Sequence, residues 1–419
     1  MTADASTREK RPFPSRRRVM QNTLWMTAAS LGGRVISYGT FVLLARFFRA
    51  ADVGVWAVLL TASLFSEVLS NLGLDKILIR DAARDPALGE ALLPKVLAIK
   101  LGASVAVGAA ACLCVHFGYP EIAENHSPAM ILFFVSVPAI AVTRTMEAWH
   151  TAWERMHIPA LAQILERVIL ICLLLAIWAA RAGFGTFIAA SAIAPIVRCL
   201  AALWPARAEF RLAMPRNSWP LFSESLILFS MEIITGVYQR FDLILISKLI
   251  SLDAAGLYNA AYRVFESSTV IFAGYLLAIF PALARKARLA EFKNTFILGM
   301  AVVGAAGALG ILFRNPVLEL FGSRYLEAAP AFVVLMIALP MTYATSFMVN
   351  SLIAMGKTRD ILCIALLVAS TNGLFNLLLI PRYSLTGAAL AFALSELVSI
   401  GIIAYILRGS RSRPKAGCA

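Results

Sequence analysis

Apolar residues in this chain gather into runs of about 20 or more, long enough for a helix to cross the hydrocarbon core of a bilayer. This feature constrains the fold more than any motif does. Lipid offers no partner to backbone N–H and C=O groups, so a chain that enters it must close its own hydrogen bonds, as helices or as a closed barrel. A barrel would read as alternating apolar and polar residues, and these runs are continuous. Helices follow. The 419-residue chain is 60% hydrophobic and only 15% charged, where a soluble chain would carry about a quarter charged residues. The expected architecture is an all-α integral membrane protein with about twelve spans, at 22–48, 53–74, 95–117, 128–150, 159–181, 184–204, 220–249, 255–283, 295–313, 328–354, 360–380 and 384–407. Pro138, Pro195, Pro281 and Pro340 fall in or near spans, where each is expected to kink or break its helix. No cleavable signal peptide is expected, because the run after the polar, basic start is too long for one.

Lysine and arginine orient the spans. Twenty-four of them fall on the two tails and on the connections after even-numbered spans, while six (Arg49, Arg181, Lys248, Arg314, Arg324 and Arg382) fall on the alternate connections. Both termini are therefore expected in the cytoplasm. The net charge of +14 marks this loop asymmetry rather than a nucleic-acid surface, since the short connections leave no room for a soluble domain. Five of the six cysteines lie in expected spans and the four histidines sit at helix ends or in loops, a pattern that implies neither a disulfide framework nor a metal site.

A short internal repeat is visible. Residues 41–58, FVLLARFFRAADVGVWAV, resemble residues 243–260, LILISKLISLDAAGLYNA, at an offset of 202. Arg46 falls on Lys248, Gly54 on Gly256 and Trp56 on Tyr258. Such a repeat relates spans 1–2 to spans 7–8. Six spans per repeat is an even number, so both halves would insert in the same direction, a plan common among transporters.

The charges inside the spans carry the functional signal. Eight basic residues lie there: Arg34, Arg46, Lys100, Arg144, Arg167, Arg198, Arg240 and Arg263. Glu67, Glu147, Glu166, Glu224, Glu232, Asp242, Glu266 and Glu396 join them. Each charge at the bilayer centre costs about 2.5–3.5 kcal/mol on the lenient insertion scale, so these groups are expected to face a hydrated interior. Steps of three and four residues put polar groups on one helix face. Thr27, Ser30, Arg34 and Ser37 share such a stripe, as do Ser63, Glu67, Ser70 and Asn71, then Glu232, Thr235, Gln239 and Asp242, and Asn259, Arg263 and Glu266. Some of these charges have a simpler reading. Arg144–Glu147 and Arg263–Glu266 are three residues apart and can neutralise themselves along one helix. Arg46, Lys100 and Arg167 have stems long enough to snorkel. Arg34 has no carboxylate three or four residues away, so its partner must come from another helix or from a ligand.

Several stretches resemble a known family. The first hairpin, LARFFRAADVGVWAVLLTASLFSEVLSNLGLDKILIRDAAR, is similar to that of the multidrug/oligosaccharidyl-lipid/polysaccharide exporter superfamily, and within it to the bacterial polysaccharide (O-antigen type) flippases. AAGLYNAAYRVFE at 254–266, FPALAR at 280–285, FGSRYLEAAPAF at 321–332 and IPRYSLTGAALAFALSELV at 380–398 resemble later family stretches. The chain departs from the family at Arg49 and Ala50, where Gly-Pro is usual.

The resemblance implies a MATE-like fold of two six-helix lobes around a central cavity, over 22–205 and 219–407, joined by a linker at 206–218 and flanked by basic tails at 1–21 and 408–419. It implies a flippase of the bacterial inner membrane, not an enzyme. Its substrate would be a polyprenyl-diphosphate-linked oligosaccharide for lipopolysaccharide O-antigen or exopolysaccharide, and a polymerase or chain-length protein would be a further partner. Arginine suits a diphosphate by geometry and permanent charge. Arg34 is the leading candidate contact, followed by Arg240, Arg263, Arg144 and Arg198. Glu67, Glu232, Asp242 and Glu266 either couple transport to H+ or Na+ or balance the arginines. No nucleotide-binding motif is visible, and no cofactor is expected. The alternatives are a cation-coupled drug antiporter or a peptidoglycan-precursor flippase on the same fold. A membrane polymerase or glycosyltransferase fits less well, because no connection is long enough for its external loop.

Overall fold

The computed structural model describes residues 16–207, 219–286, 292–355 and 357–411. The basic residues expected before position 16, most of the 206–218 linker and the end of the C-terminal tail lie outside the described residues. The described chain is helical and contains no strand. In order it forms α1 (Arg16–Phe47), α2 (Ala50–Asn71), α3 (Leu74–Arg84), α4 (Pro86–Gly118), α5 (Pro120–Val135), α6 (Val137–Ala152), α7 (His157–Ala179), α8 (Phe184–Ser191) and α9 (Ile193–Leu203). After the linker come α10 (Trp219–Leu249), α11 (Leu252–Ser268), α12 (Val270–Lys286), α13 (Lys293–Leu312), α14 (Arg314–Glu319), α15 (Ala329–Ala354) and α16 (Thr358–Arg411).

Among the described residues, nine stretches are long and apolar enough to cross a membrane, against the expected twelve or so. The difference has two causes. The expected spans 220–249 and 255–283 are helical, as α10 and as α11 with α12, but fall outside the nine. These helices hold Glu232, Arg240, Asp242, Arg263 and Glu266, which dilute their apolar character. The expected spans 360–380 and 384–407 fall in one stretch, Asp360–Leu407. That stretch is a hairpin. Ser384 adopts φ 52°, breaking the helical path. Beyond it the chain folds back, so that Ile364 and Ile403 share one core, Asn372 Nδ2 donates to Ser395 Oγ at 3.1 Å, and Gly387 lies against the Leu379 carbonyl.

Local sequence sets the helix ends. Pro138 and Pro195 coincide with interruptions at Ser136 and Ala192, where α5 gives way to α6 and α8 to α9. Pro340 lies inside α15, which continues through it. Asp85 caps α4 by accepting from Ala87 N at 3.0 Å, with Pro86 at the first helical position, where its missing N–H costs nothing. Ser251 caps α11 by accepting from Ala254 N at 3.0 Å. The connection expected after span 2 is itself a helix, α3. Leu72 and Gly73 both take positive φ, 51° and 71°, and turn the chain. Leu74, Leu78 and Ala82 then pack one face of α3 into a core with Leu93, Leu97, Met146 and Trp149 of α4 and α6.

The described chain divides into two compact units. One comprises residues up to Phe41 with Leu59–Ile233, and the other Val42–Val58 with Ile234 onward. The division differs from one that follows chain order alone, because residues 42–58 belong with the second unit. Inside that unit, this segment packs on its own repeat counterpart. A Cβ on Gly54 would lie 1.8 Å from the Leu252 carbonyl oxygen, and a Cβ on Gly256 would lie 2.0 Å from that of Ala50. Residues 50 and 252 are separated by the repeat offset, as are 54 and 256. The crossing of α2 and α11 is thus its own image under the repeat, and only glycine admits backbones this close. We expect Gly54→Ala and Gly256→Ala each to force the helices apart, at a cost of about 1–3 kcal/mol or more. Gly102→Ala should leave stability unchanged or raise it slightly, because nothing lies within 4 Å of its Cβ position. Thermal unfolding in detergent checks this, and equal midpoints for all three variants and the wild type would refute the crossing.

Candidate functional site

In the first unit, charged residues from five helices line one cavity of about 290 Å3. The stripe on α2 supplies Glu67 and Asn71, the first turn of α3 supplies Asp75 and Lys76, α4 supplies Lys100, α6 supplies Arg144 and α10 supplies Glu232. These groups pair closely. Arg144 Nη2 lies 2.6 Å from Glu67 Oε1, Lys100 Nζ 2.6 Å from Asp75 Oδ1, and Lys76 Nζ 3.0 Å from Glu232 Oε1. Asn71 Nδ2 donates to the other Glu232 oxygen at 3.0 Å. The lining therefore carries three cations and three carboxylates. It is polar without a net charge, an arrangement suited to uncharged hydroxyl-rich groups and to exchange of ion-pair partners.

Three of the residues singled out from sequence, Glu67, Arg144 and Glu232, meet here. Lys100 does not snorkel, since its side chain is 1% exposed and bound to Asp75. Lys100 was named among the intramembrane cations but read as able to snorkel, and Asp75 and Lys76 are members of the site that sequence reasoning missed. Asp75 and Lys76 read as loop residues, and nothing in the spacing tied Asp75 to a lysine 25 positions away.

The simple pairing of Arg144 with Glu147 is not the main one. Glu147 is 4.0 Å from Arg144 and instead holds Arg198, at 2.7 Å. Glu166 Oε2 binds the same guanidinium at 2.6 Å. Nε and Nη2 of Arg198 donate to Glu147 and Nη1 donates to Glu166. This arginine ties α6, α7 and α9 together with its donors already engaged.

In the second unit, Arg240 and Arg263 share one carboxylate, Glu266, at 4.0 and 3.5 Å. Arg240 also lies over the Tyr262 ring, 5.5 Å from its centroid, close enough for cation–π attraction. Asp242 is buried and accepts from Tyr258 Oη at 2.6 Å and from Leu243 N at 2.7 Å. The side chains of Thr235 and Gln239, expected on the same stripe, lie outside the described ones.

Arg34 stands apart. Seven of the eight intramembrane basic residues have a partner: Arg46 donates to the Leu320 carbonyl at 2.7 Å, Arg167 donates to Ser37 Oγ, and the other five are paired as above. Arg34 is exposed and makes no hydrogen bond or ion pair among the described residues. It sits inside the candidate span Met20–Phe47. No group of three or more His, Cys, Asp or Glu side chains among the described residues is placed to hold a metal ion.

A helical membrane chain with polar, arginine-bearing sites inside its apolar helices has the makings of a transporter, and comparison with known proteins agrees. The chain belongs to the polysaccharide biosynthesis protein family, whose profile matches residues 19–287. No curated protein matches the sequence. Among solved structures, the chain is similar to the lipid II flippase MurJ in an inward closed conformation, with TM-score 0.70 and 12% identity over 92% of this chain and 87% of that one. It is also similar to an inward-facing multidrug resistance MATE family transporter of the MOP superfamily, with TM-score 0.69 and 11% identity over 91% and 96% of the two chains. A MOP superfamily transporter from Pyrococcus furiosus aligns with TM-score 0.57 and 12% identity, over 95% of each. The expected all-α, MATE-like membrane fold is therefore the observed one. The family and these neighbours are flippases and transporters rather than enzymes.

The Arg198 triad gives a test of structural against ligand-binding arginines. Arg198→Met takes the main cation from Glu147 and the cation from Glu166, both half-buried, at a cost of up to about 3–5 kcal/mol. We expect a sharp loss of folded protein, recovered in large part when Glu147→Gln and Glu166→Gln are added. Normal yield and melting of Arg198→Met alone, measured by size-exclusion chromatography and thermal unfolding, would show that the triad is not a structural tie.

Proposed function

We propose that this chain is a flippase carrying a polyprenyl-diphosphate-linked oligosaccharide across the bacterial inner membrane, by alternating access, for surface polysaccharide such as O-antigen or exopolysaccharide. The observation that carries the reading is Arg34, a guanidinium inside a membrane span with no partner among the described residues. A permanent cation at such depth is costly, and a diphosphate satisfies it with charge-assisted, bidentate hydrogen bonds. Arg240 and Arg263, two cations on the single carboxylate of Glu266, supply a second place where an anion is welcome. The balanced cavity lined by Glu67, Asn71 and Arg144 suits the hydroxyls of a glycan.

Family membership supports the glycan pathway, and a flippase for lipid II shares the fold. A transporter for cationic drugs would favour unpaired carboxylates over an unpaired arginine. Glu67, Glu232 and Glu266 each have a cation close by, which favours charge balance over ion coupling for these three, while Asp242 is held by the Tyr258 hydroxyl. The reading places both termini in the cytoplasm, with a polymerase or chain-length protein as neighbour.

Loss of charge-assisted hydrogen bonds of about 1.5–3 kcal/mol weakens binding by roughly 10- to 100-fold. Arg34→Ala should therefore abolish surface polysaccharide in a strain lacking the native gene, with protein level unchanged, and Arg34→Lys should restore it in part. Polysaccharide is read on gels and protein by immunoblot of membranes. Full complementation by Arg34→Ala would sink the assignment.

A further inference from the structure

Among the described residues, Glu396 is a buried span carboxylate with no cation paired to it. It lies in the second arm of the α16 hairpin, in the candidate span Asp360–Leu407, and is 5% exposed. No basic side chain pairs with it among the described residues, and its Oε2 atom receives no hydrogen bond. The hydroxyls of Thr342 and Thr345 flank it. Thr342 also donates back to the Ala338 carbonyl at 3.2 Å, and the buried Thr345 hydroxyl has this carboxylate as its polar neighbour. Among the described residues no countercharge pairs with it; α10, whose Phe241 ring lies 3.7 Å from the Cβ position of Gly373 in the hairpin, has Arg240 facing Glu266 and Asp242 bound to Tyr258. α15, which packs along α16, has no Asp, Glu, Lys or Arg, and its titratable group is Tyr343. α11 reaches the same arm through Phe265, whose ring meets that of Phe392 at 5.2 Å. Its charged and titratable groups are engaged elsewhere: Asp253 with Arg324, Tyr258 with Asp242, Tyr262 under Arg240, and Arg263 with Glu266. On α16 itself, Asp360 pairs with Lys357, while Arg382, Tyr383 and Tyr405 lie near the hairpin tip and the far end. In the same hairpin, Asn376 Nδ2 donates to Asn372 Oδ1 at 2.9 Å, yet Asn376 Oδ1, also buried, receives nothing.

A carboxylate without a cation is costly at this depth. A proton removes the charge and turns Oε2 from an acceptor into a donor, and the neighbouring Thr345 hydroxyl, which can accept as well as donate, is placed to receive it. We propose that Glu396 takes up and releases one proton during the working cycle and is the group through which a proton gradient acts on this protein. The step is a simple protonation of the carboxylate to the carboxylic acid. A sodium ion would need a fuller shell of oxygens than one carboxylate and two hydroxyls provide. The inference rests on the transport reading above for its consequence, but not for the protonation itself.

Two measurements on the purified full chain in liposomes test it. In infrared difference spectra taken across a pH series, the wild type should show a carboxylic C=O band that appears on acidification. That band should be absent in Glu396→Gln and shifted in frequency in Thr345→Val. In a flipping assay with polyprenyl-diphosphate oligosaccharide, Glu396→Gln should lose the dependence of transport on an imposed pH gradient. An unchanged titrating band in Glu396→Gln overturns the proposal, and so does an unaltered response to the gradient. Loss of a sodium response with the pH response intact overturns it in favour of sodium. If Glu396→Gln does not fold, the Thr345→Val shift decides: an unshifted band overturns the assignment. If the wild type moves no polyprenyl-diphosphate oligosaccharide, the substrate reading fails, while the infrared series still decides the proton site.

Discussion

A charge held at membrane depth must be answered by an opposite charge, by fixed dipoles or by water, and that demand organises this protein. The chain places eight basic residues within its apolar helices, and seven of them find a partner. Most of the partners come from a different helix. Lys100 of α4 holds Asp75 of α3, Arg144 of α6 holds Glu67 of α2, and Arg198 of α9 holds carboxylates of α6 and α7. Apolar side chains gain little by leaving lipid for one another, so packing and polar contacts must hold membrane helices together. Here the ion pairs act as the cross-ties, and the first unit is built around them.

Close backbone packing is the second device. At the α2–α11 crossing the two glycines of the repeat let helix backbones touch, with Gly54 on the Leu252 carbonyl and Gly256 on that of Ala50. Small residues at such crossings are the usual substitute for a hydrophobic driving force between helices in lipid. The crossing also explains why residues 42–58 group with the second unit although they precede most of the first in the chain. A duplicated segment that packs on its own copy needs only one favourable surface, used twice.

Much of this was legible in the sequence, for identifiable reasons. The apolar runs specify helices because lipid permits little else, and Pro138 and Pro195 mark real interruptions. Arg34 stood out because no carboxylate lies one turn away, and of the eight intramembrane basic residues it is the one with no partner among the described residues. What could not be read were pairings between helices. The i,i+3 rule pointed Arg144 to Glu147, but a carboxylate on α2 lies closer. Lys100 looked able to snorkel, yet a short helix after α2 brings Asp75 to it. That helix read as a loop because it is too short to span and its apolar residues are interrupted by charges, although their spacing of four places Leu74, Leu78 and Ala82 on one face. The expected boundary between spans 360–380 and 384–407 coincides with the break in the helical path at Ser384.

The buried ion pairs raise a question that stability alone does not answer. Replacing a buried ion pair with well-packed apolar residues is often neutral or stabilising, so such pairs are weak evidence of a need for stability. In lipid the apolar alternative is cheaper still, because every apolar side chain is already solvated. A chain that nevertheless keeps three ion pairs around one cavity retains groups that can change partners. Arg144 already lies within 4.0 Å of a second carboxylate, Glu147, while bound to Glu67, and Glu232 divides its oxygens between Lys76 and Asn71. On the proposed function, a transporter must hold its substrate in one state and let it go in another. Charges that satisfy each other when the cavity is empty, and that could be satisfied by a polar cargo when it is full, would meet that need without stranding a cavity charge in lipid.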